Sequence, residues 1–132
     1  MPYLIDSDLV IDHLLNIKET TQLLEALAKD GTAISIITYM ETYQNVIRNH
    51  HSQEAKEIFQ NFIETIPVLS FSLHIAQRCA HLRERLKIEG KRVNSRAFDL
   101  INASIALEYN LILVTRNRND YKDIPGLKLF RP

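Results

Sequence analysis

RAFDLINASIALEYNLILVTRNRNDY, residues 96–121, is the stretch that decides the fold. Residues 97–109 read as a helix with small residues on one face, and Leu100, Ile101, Ala103, Ile105 and Ala106 make most of it apolar. Asn110 follows and suits the left-handed position just past a helix end. Residues 111–114 are then an unbroken apolar run, as expected of a parallel strand covered on both faces. A polar loop closes the stretch. It carries two isolated acids, Asp99 near the start of the helix and Asp120 at the end of the loop.

Working outward, the same alternation recurs. Residues 2–6 read as a short buried strand, followed by a helix to about Leu15 that Asp8 caps, with Leu9, Ile11, Leu14 and Leu15 apolar. Residues 20–28 form a second helix, which Gly31 breaks, and 33–37 a β-branched second strand. Thr38 reads as an N-cap with Glu41 three residues on, a capping-box pattern, for a helix to about Asn49. Helices from Ser52 to Ile63 and from Ser72 to Ile88 flank a brief strand at Val68 and Leu69, and residues 127–130 suit an edge strand. Strands alternating with helices predict an α/β domain with a parallel central sheet. In such sheets ligands bind beyond the carboxyl ends of the strands.

Composition sets the outer bounds. The 132 residues suit one domain, 1–132, without an internal repeat or low-complexity linker. Hydrophobic residues make up 45% and charged residues 24%, enough for a core without disulfides. The single Cys79 reads as core filler and agrees with a reducing compartment. No apolar run approaches the ~20 residues of a membrane span, and MPYLID lacks the pattern of a signal peptide, so the expectation is cytoplasmic, with no membrane contact. Sixteen basic residues balance sixteen acidic ones, so net charge alone does not point to nucleic acid.

Four acids beside apolar segments stand out: Asp6, Glu41, Asp99 and Asp120. Each has a bland reading on its own. Asp6 suits a turn, Glu41 the return half of a capping box, Asp99 a helix dipole, and Asp120 a solvated loop. Together they fall at corresponding places of a parallel sheet and can face one cleft. Clustered carboxylates repel unless some hold protons or a cation sits among them. A hard divalent ion such as Mg²⁺ or Mn²⁺ prefers oxygen ligands and supports hydrolysis at phosphate.

YLIDSDLVIDHL, ISIITYMETYQNV and the 96–121 stretch, taken in order, resemble the motifs of PIN-domain ribonucleases, especially VapC-type toxins of toxin–antitoxin pairs. The resemblance spans essentially the whole chain. It implies a three-layer α/β/α domain with a short, mainly parallel sheet and helices on both faces. It also implies Mg²⁺-dependent endonucleolytic cleavage of RNA (Mn²⁺ being possible), leaving a 5′-phosphate and a 3′-hydroxyl. Metal-binding and catalytic roles pass to Asp6, Glu41, Asp99 and Asp120, with Ser7 as a hydroxyl near the metal. Asn117 aligns with a residue that supports the fourth acid, and Thr115 helps orient that acid. A cognate antitoxin and a homodimer are the implied protein partners, and helices 20–28 and 38–63 are candidates for the dimer face. Asn102 departs from the pattern, since an apolar residue usually stands there. It either hydrogen-bonds at the site or lines a helix interface, and the interface is the favoured reading.

Arg92, Arg96, Arg116 and Arg118 flank the later acidic motifs and suit a basic rim, with Arg96 and Arg116 the expected RNA contacts; a solvated surface is the alternative. Arg116 could instead pair with a carboxylate at the site. Spacing argues against a zinc cluster among His13, His50, His51, His74 and His81. Tyr39, Tyr43 and Tyr121 read as core or interface residues before base-stacking ones. The competing function is a non-catalytic PIN-like module that binds protein or RNA. A phosphate-acting enzyme on DNA or small molecules and a receiver-like phosphoacceptor are further readings, and the motif order fits the last poorly.

Overall fold

The computed structural model describes residues 2–50 and 52–131, without the side chains of Asn49 and His50. In chain order the elements are β1 (Tyr3–Ile5), α1 (Ser7–Leu14), α2 (Lys18–Ala28), β2 (Thr32–Ser35), α3 (Ile36–His50) and α4 (Gln53–Ile63). β3 (Val68–Leu69), α5 (Leu73–Ile88), α6 (Ala97–Glu108), β4 (Ile112–Val114) and β5 (Lys128–Leu129) follow. Short 3₁₀ turns occupy Asn94–Arg96 and Arg118–Asp120.

The strands form one sheet in the order β3-β2-β1-β4-β5, and every pairing is parallel. Adjacent residues of each central strand enter opposite layers, because successive strand side chains alternate faces. Leu4, Ala33 and Leu113 join Ile75, Cys79, Leu82 and Leu86 of α5 and Leu100, Ala103 and Ala106 of α6. Ile5, Ile34 and Val114 join Leu9 and Val10 of α1 and Leu24 and Leu27 of α2, with Phe62 and Ile63 of α4 alongside. The expected three-layer α/β/α architecture is thus present, and Cys79 is core filler at 3% exposure.

Strand order runs outward in opposite directions from β1, so the switch in topology lies between β1 and β4. Their carboxyl ends carry Asp6 and Thr115. Open parallel sheets leave a crevice at this position. α3 packs on both α1 and α6, so it bridges the two helices that begin on either side of the crevice. That placement, more than any local motif, carries Glu41 to the same region as Asp6 and Asp99.

Two caps differ from expectation. Asp6, not Asp8, is the N-cap of α1: its Oδ1 accepts the Ser7 N–H at 2.9 Å, and its carbonyl accepts the amides of Leu9 and Val10. α3 begins two residues before Thr38, and Ser35 Oγ accepts the Thr38 N–H at 3.1 Å. Ser35 therefore does the capping expected of Thr38, and Glu41 moves into the second turn. Ile36 and Ile37, β-branched and apolar, read as strand but form the first turn of α3, which Ser35 caps. Ser52 and Ser72, the expected starts of two helices, are the N-caps of α4 and α5 and accept from the amides of Ala55 and Ile75. Asn110 takes a φ of 54°, the left-handed value anticipated after α6.

Candidate functional site

Asp6 is 5% exposed, and both of its oxygens are held. Oδ1 takes the Ser7 amide and Oδ2 takes the Thr115 hydroxyl at 2.6 Å. Thr115 in turn accepts the Asn117 N–H at 3.0 Å. The residue after β4 therefore orients the residue after β1, directly across the switch point. Thr115 was expected to orient Asp120; its hydroxyl goes to Asp6 instead, because β1 and β4 are hydrogen-bonded neighbours and Asp6 N–H continues that ladder to the Val114 carbonyl.

Glu41 and Asp99 are half-buried beside it. Burial is the largest cause raising the pKa of all three carboxyls. Thr115 and the Ser7 amide partly offset it at Asp6, the Ser7 hydroxyl does so at Glu41, and the Tyr121 hydroxyl at Asp99. Charge repulsion adds to burial: Asp6 feels Asp8 and Asp99, while Glu41 feels Asp6, Asp99 and Asp8. These groups share one negative field, so a site for positive charge is built where the ladder ends. Asp8 is a member of that field that the sequence reading had assigned to capping. Its Oδ2 accepts the Asn117 side-chain amide at 2.9 Å, which ties the first turn of α1 to the loop after β4.

Asp120 stands at the margin. It raises the pKa of Asp99 by repulsion but pairs with Arg92 Nη2 at 2.8 Å. Asn117 supports it through the backbone, since the Asp120 amide donates to the Asn117 carbonyl, while the Asn117 side chain serves Asp8. Among the described residues no three His, Cys, Asp or Glu side chains close tightly enough to cage an ion by themselves. The carboxylates ring the crevice with oxygen donors only. That suits a hard cation that keeps several waters, and gives no set for zinc. His74 pairs with Glu108 on the far end of α6, and the side chains of His50 and His51 lie outside the described residues.

The arginines divide. Arg96 is withdrawn from the expected basic rim: its side chain is 1% exposed, and its fork holds Asp123 by two bonds of 2.6 and 3.0 Å. It also donates to the carbonyls of Arg92 and Asp120. Three bonds to one loop, with the fourth to Arg92, make Arg96 the organiser of residues 118–123. Arg116 remains half-exposed, pairing with Asp12 and donating to the Thr20 hydroxyl. Arg116 thus pairs with a carboxylate, but with Asp12, outside the crevice, and not with an acid of the site as the alternative had it. Arg116 and Arg118 rim a cavity of about 400 Å³ whose walls include Leu9, Leu23, Val114 and Phe130, and Thr115 connects it to Asp6. Tyr39 and Tyr43 pack on Phe59 at 5.3 and 5.5 Å between ring centres, as packing residues.

Replacing Arg96 removes a buried fork and leaves Asp123, itself 29% exposed, to solvent. Arg96→Met is expected to destabilise the domain by ~2 kcal/mol in urea titrations, through the lost charge-assisted bonds, and Arg96→Lys recovers little, because an ammonium cannot reproduce the fork. An unchanged midpoint for Arg96→Met would remove this structural role. A second expectation follows from the raised carboxyls. Between the ordinary carboxylate pKa of about 4 and their raised folded values, the native chain holds more protons than the unfolded one. Their contribution is favourable below that window and is lost as pH rises through it. In EDTA, the melting temperature of Asp99→Asn should therefore gain on the unsubstituted chain as pH rises, and parallel curves would contradict the assignment.

Comparison with known proteins places this geometry. The family model for the PIN domain matches residues 3–127. The chain is 32% identical over 107 residues to Ribonuclease VapC2 of Rickettsia felis, covering 80% of this chain and 78% of that one. It is 23% identical over 128 residues to the tRNA(fMet)-specific endonuclease VapC of Shigella flexneri, covering 97% and 96%. Among solved structures, the VapBC2 complex of Rickettsia felis bound to a DNA fragment from their promoter superimposes with a TM-score of 0.85 at 26% identity over 98% of each chain. With the parallel sheet, the acids at its switch point and these matches in agreement, the chain belongs to the PIN-domain family, in the company of its VapC-type members.

Proposed function

We propose that this protein is the ribonuclease toxin of a toxin–antitoxin pair, an endonuclease that hydrolyses RNA phosphodiester bonds with Mg²⁺ or Mn²⁺ held among Asp6, Glu41 and Asp99. The observation that carries this reading is the meeting of three carboxyls, each disfavoured as an anion by burial, at the one crevice where a parallel sheet of this order binds ligands. The oxygen-only donor set fits the cation. When bound, such an ion supplies charge neutralisation at a phosphate and lowers the pKa of water.

The chain's own residues do the rest. Thr115 and the Ser7 amide each hold one oxygen of Asp6 and so fix the orientation of its carboxylate. The Ser7 hydroxyl steadies Glu41. Asp120, which acts on Asp99 by repulsion and pairs with Arg92, is assigned together with Glu41 to orient the attacking water. In-line attack on the phosphodiester leaves a 5′-phosphate and a 3′-hydroxyl. The cavity beside Thr115, apolar within and rimmed by Arg116 and Arg118, supports an RNA path along the β4 side of the crevice.

The protein partners are assigned to surfaces. Met40, Tyr43 and Ile47 of α3 and Ile58 of α4 are each 40–43% exposed, which suits a homodimer face over the 38–63 part of the expected region. We assign a cognate antitoxin as partner, since structures that this chain resembles are toxin–antitoxin complexes, and place it over the acidic crevice as part of this proposal. No described helix is long and apolar enough to cross a membrane, and we assign the protein to the cytoplasm on the reading as a toxin of cellular RNA.

Mapping cleaved ends in total RNA after induced expression tests catalysis and target together. tRNA is the first class to inspect, because the Shigella relative is named for tRNA(fMet). Discrete ends that vanish in Asp6→Asn and Asp99→Asn are expected; ends indistinguishable from background would leave a non-catalytic binding module. Thr115→Val should lower the cleavage rate by ~10–100-fold, the range for partners that orient a metal ligand. Arg116→Ala and Arg118→Ala should each weaken RNA binding by the purified protein and reduce its salt dependence by about one phosphate contact. An unaltered salt slope in both would move the RNA path elsewhere.

A further inference from the structure

We propose that Tyr121 and Asn102 are positioning residues for Asp99, forming a buried relay, Asn102 amide to Tyr121 hydroxyl to Asp99 carboxylate, that fixes the orientation in which Asp99 offers its second oxygen to a divalent cation. This inference rests on the nuclease reading above and concerns residues outside the four acids.

Tyr121 is 1% exposed, and its ring fills the layer shared by α5 and α6. A phenylalanine would fill the same space, so the hydroxyl is what needs a reason. It donates to Asp99 Oδ1 at 3.1 Å. Asn102, 2% exposed and one turn beyond Asp99 on α6, places Nδ2 3.4 Å from the same hydroxyl. Chemistry sets the direction of both bonds. An ionised carboxylate only accepts, so the phenol must spend its proton on Asp99 and can only accept from Asn102. Burial and the nearby Asp6 and Asp99 charges push the phenol further from ionisation, so it remains a donor.

Asn102 is otherwise hard to place. Its Oδ1 is buried and has no hydrogen-bond partner among the described residues. A small apolar residue at the α6 interface would leave nothing unsatisfied there. Interface lining, the reading favoured from sequence, accounts for the burial but not for the amide. The relay accounts for it: the amide polarises the phenol, and the phenol holds one oxygen of Asp99 while the other stays free. Networks of this kind strengthen bond by bond in a poorly screened interior. Asp99 has no other side-chain hydrogen bond among the described residues, whereas Asp6 is held at both oxygens.

The test is cation binding by the purified full chain without RNA, using Mn²⁺ in calorimetry, beside the Mg²⁺ dependence of cleavage. Tyr121→Phe should weaken Mn²⁺ binding by about 10-fold or more. The lost cleavage rate should return as Mg²⁺ is raised, because the defect lies in affinity. Asn102→Ala should weaken binding less. The double variant should match Tyr121→Phe alone, since the amide acts only through the phenol. A purely packing role would lower the melting temperature and leave the Mn²⁺ affinity where it was. Unchanged affinity in a folded Tyr121→Phe overturns the proposal. If that variant does not fold, unchanged affinity in Asn102→Ala does the same. Mn²⁺ uptake that Asp99→Asn abolishes and Tyr121→Phe leaves intact sinks the relay alone. No uptake by the unsubstituted chain sinks the nuclease reading and the relay together.

Discussion

The hydrogen bond from Thr115 to Asp6 joins the carboxyl ends of two neighbouring parallel strands, and the crevice is organised around it. Each strand is three residues long, so β1 and β4 have little ladder of their own. Their side chains are committed to two opposed apolar layers, which fixes the register: a slip of one residue would send Leu4 and Ile5 to each other's layer. With register fixed, Asp6 and Thr115 have no choice but to meet. Residues 109 positions apart become partners because burial on both faces of the sheet leaves one solution.

The rest of the acidic field follows from helices that start or pass at that end. α1 begins on Asp6 itself, and α3 runs between α1 and α6. Burial disfavours the anions of Asp6, Glu41 and Asp99, and neutral donors offset it in part: Thr115 and the Ser7 amide at Asp6, the nearby Ser7 hydroxyl at Glu41, and Tyr121 at Asp99. Neutral donors steady a carboxylate without cancelling its charge. Where a cation does face an acid nearby, as Arg92 does Asp120 and Arg96 does Asp123, the acid lies at the margin or on the supporting loop. A chain with zero formal charge thus keeps unneutralised negative charge in one place by spending its guanidinium groups around it.

Much of this was legible in the sequence because it rests on patterns with a period. The apolar run before Thr115 and the small-residue face of α6 gave a parallel strand and a packed helix, and the acids at their ends followed from sheet geometry. What was illegible depended on choices between adjacent polar residues. Asp6 and Asp8 can both cap a helix, and Ser35 and Thr38 offer the same hydroxyl chemistry three residues apart; packing of the first turn decides, and packing has no local signature. Arg96 looked like a substrate contact because a guanidinium reads as exposed. Only Asp123, 27 residues on, reveals it as buried. Asn102 carried a signal, as a polar residue where an apolar one usually stands, but its partner Tyr121 is 19 residues away, in a loop whose path a sequence does not give.

The loop after β4 shows how a surface segment acquires the precision that metal chemistry needs. Loops are ordinarily the mobile part of a domain. Five of the bonds that pin this one run from Thr115 to Asp6, Asn117 to Asp8, Arg118 to the Phe130 carbonyl, Arg96 to the Asp120 carbonyl and Tyr121 to Asp99. Three of these five bonds end on acids of the crevice. The loop and the acids therefore order one another, and a change that loosens one end must be felt at the other. That reciprocity explains why a ring of carboxylates, too open to cage an ion by itself, can still present its oxygens in a fixed arrangement before any cation arrives.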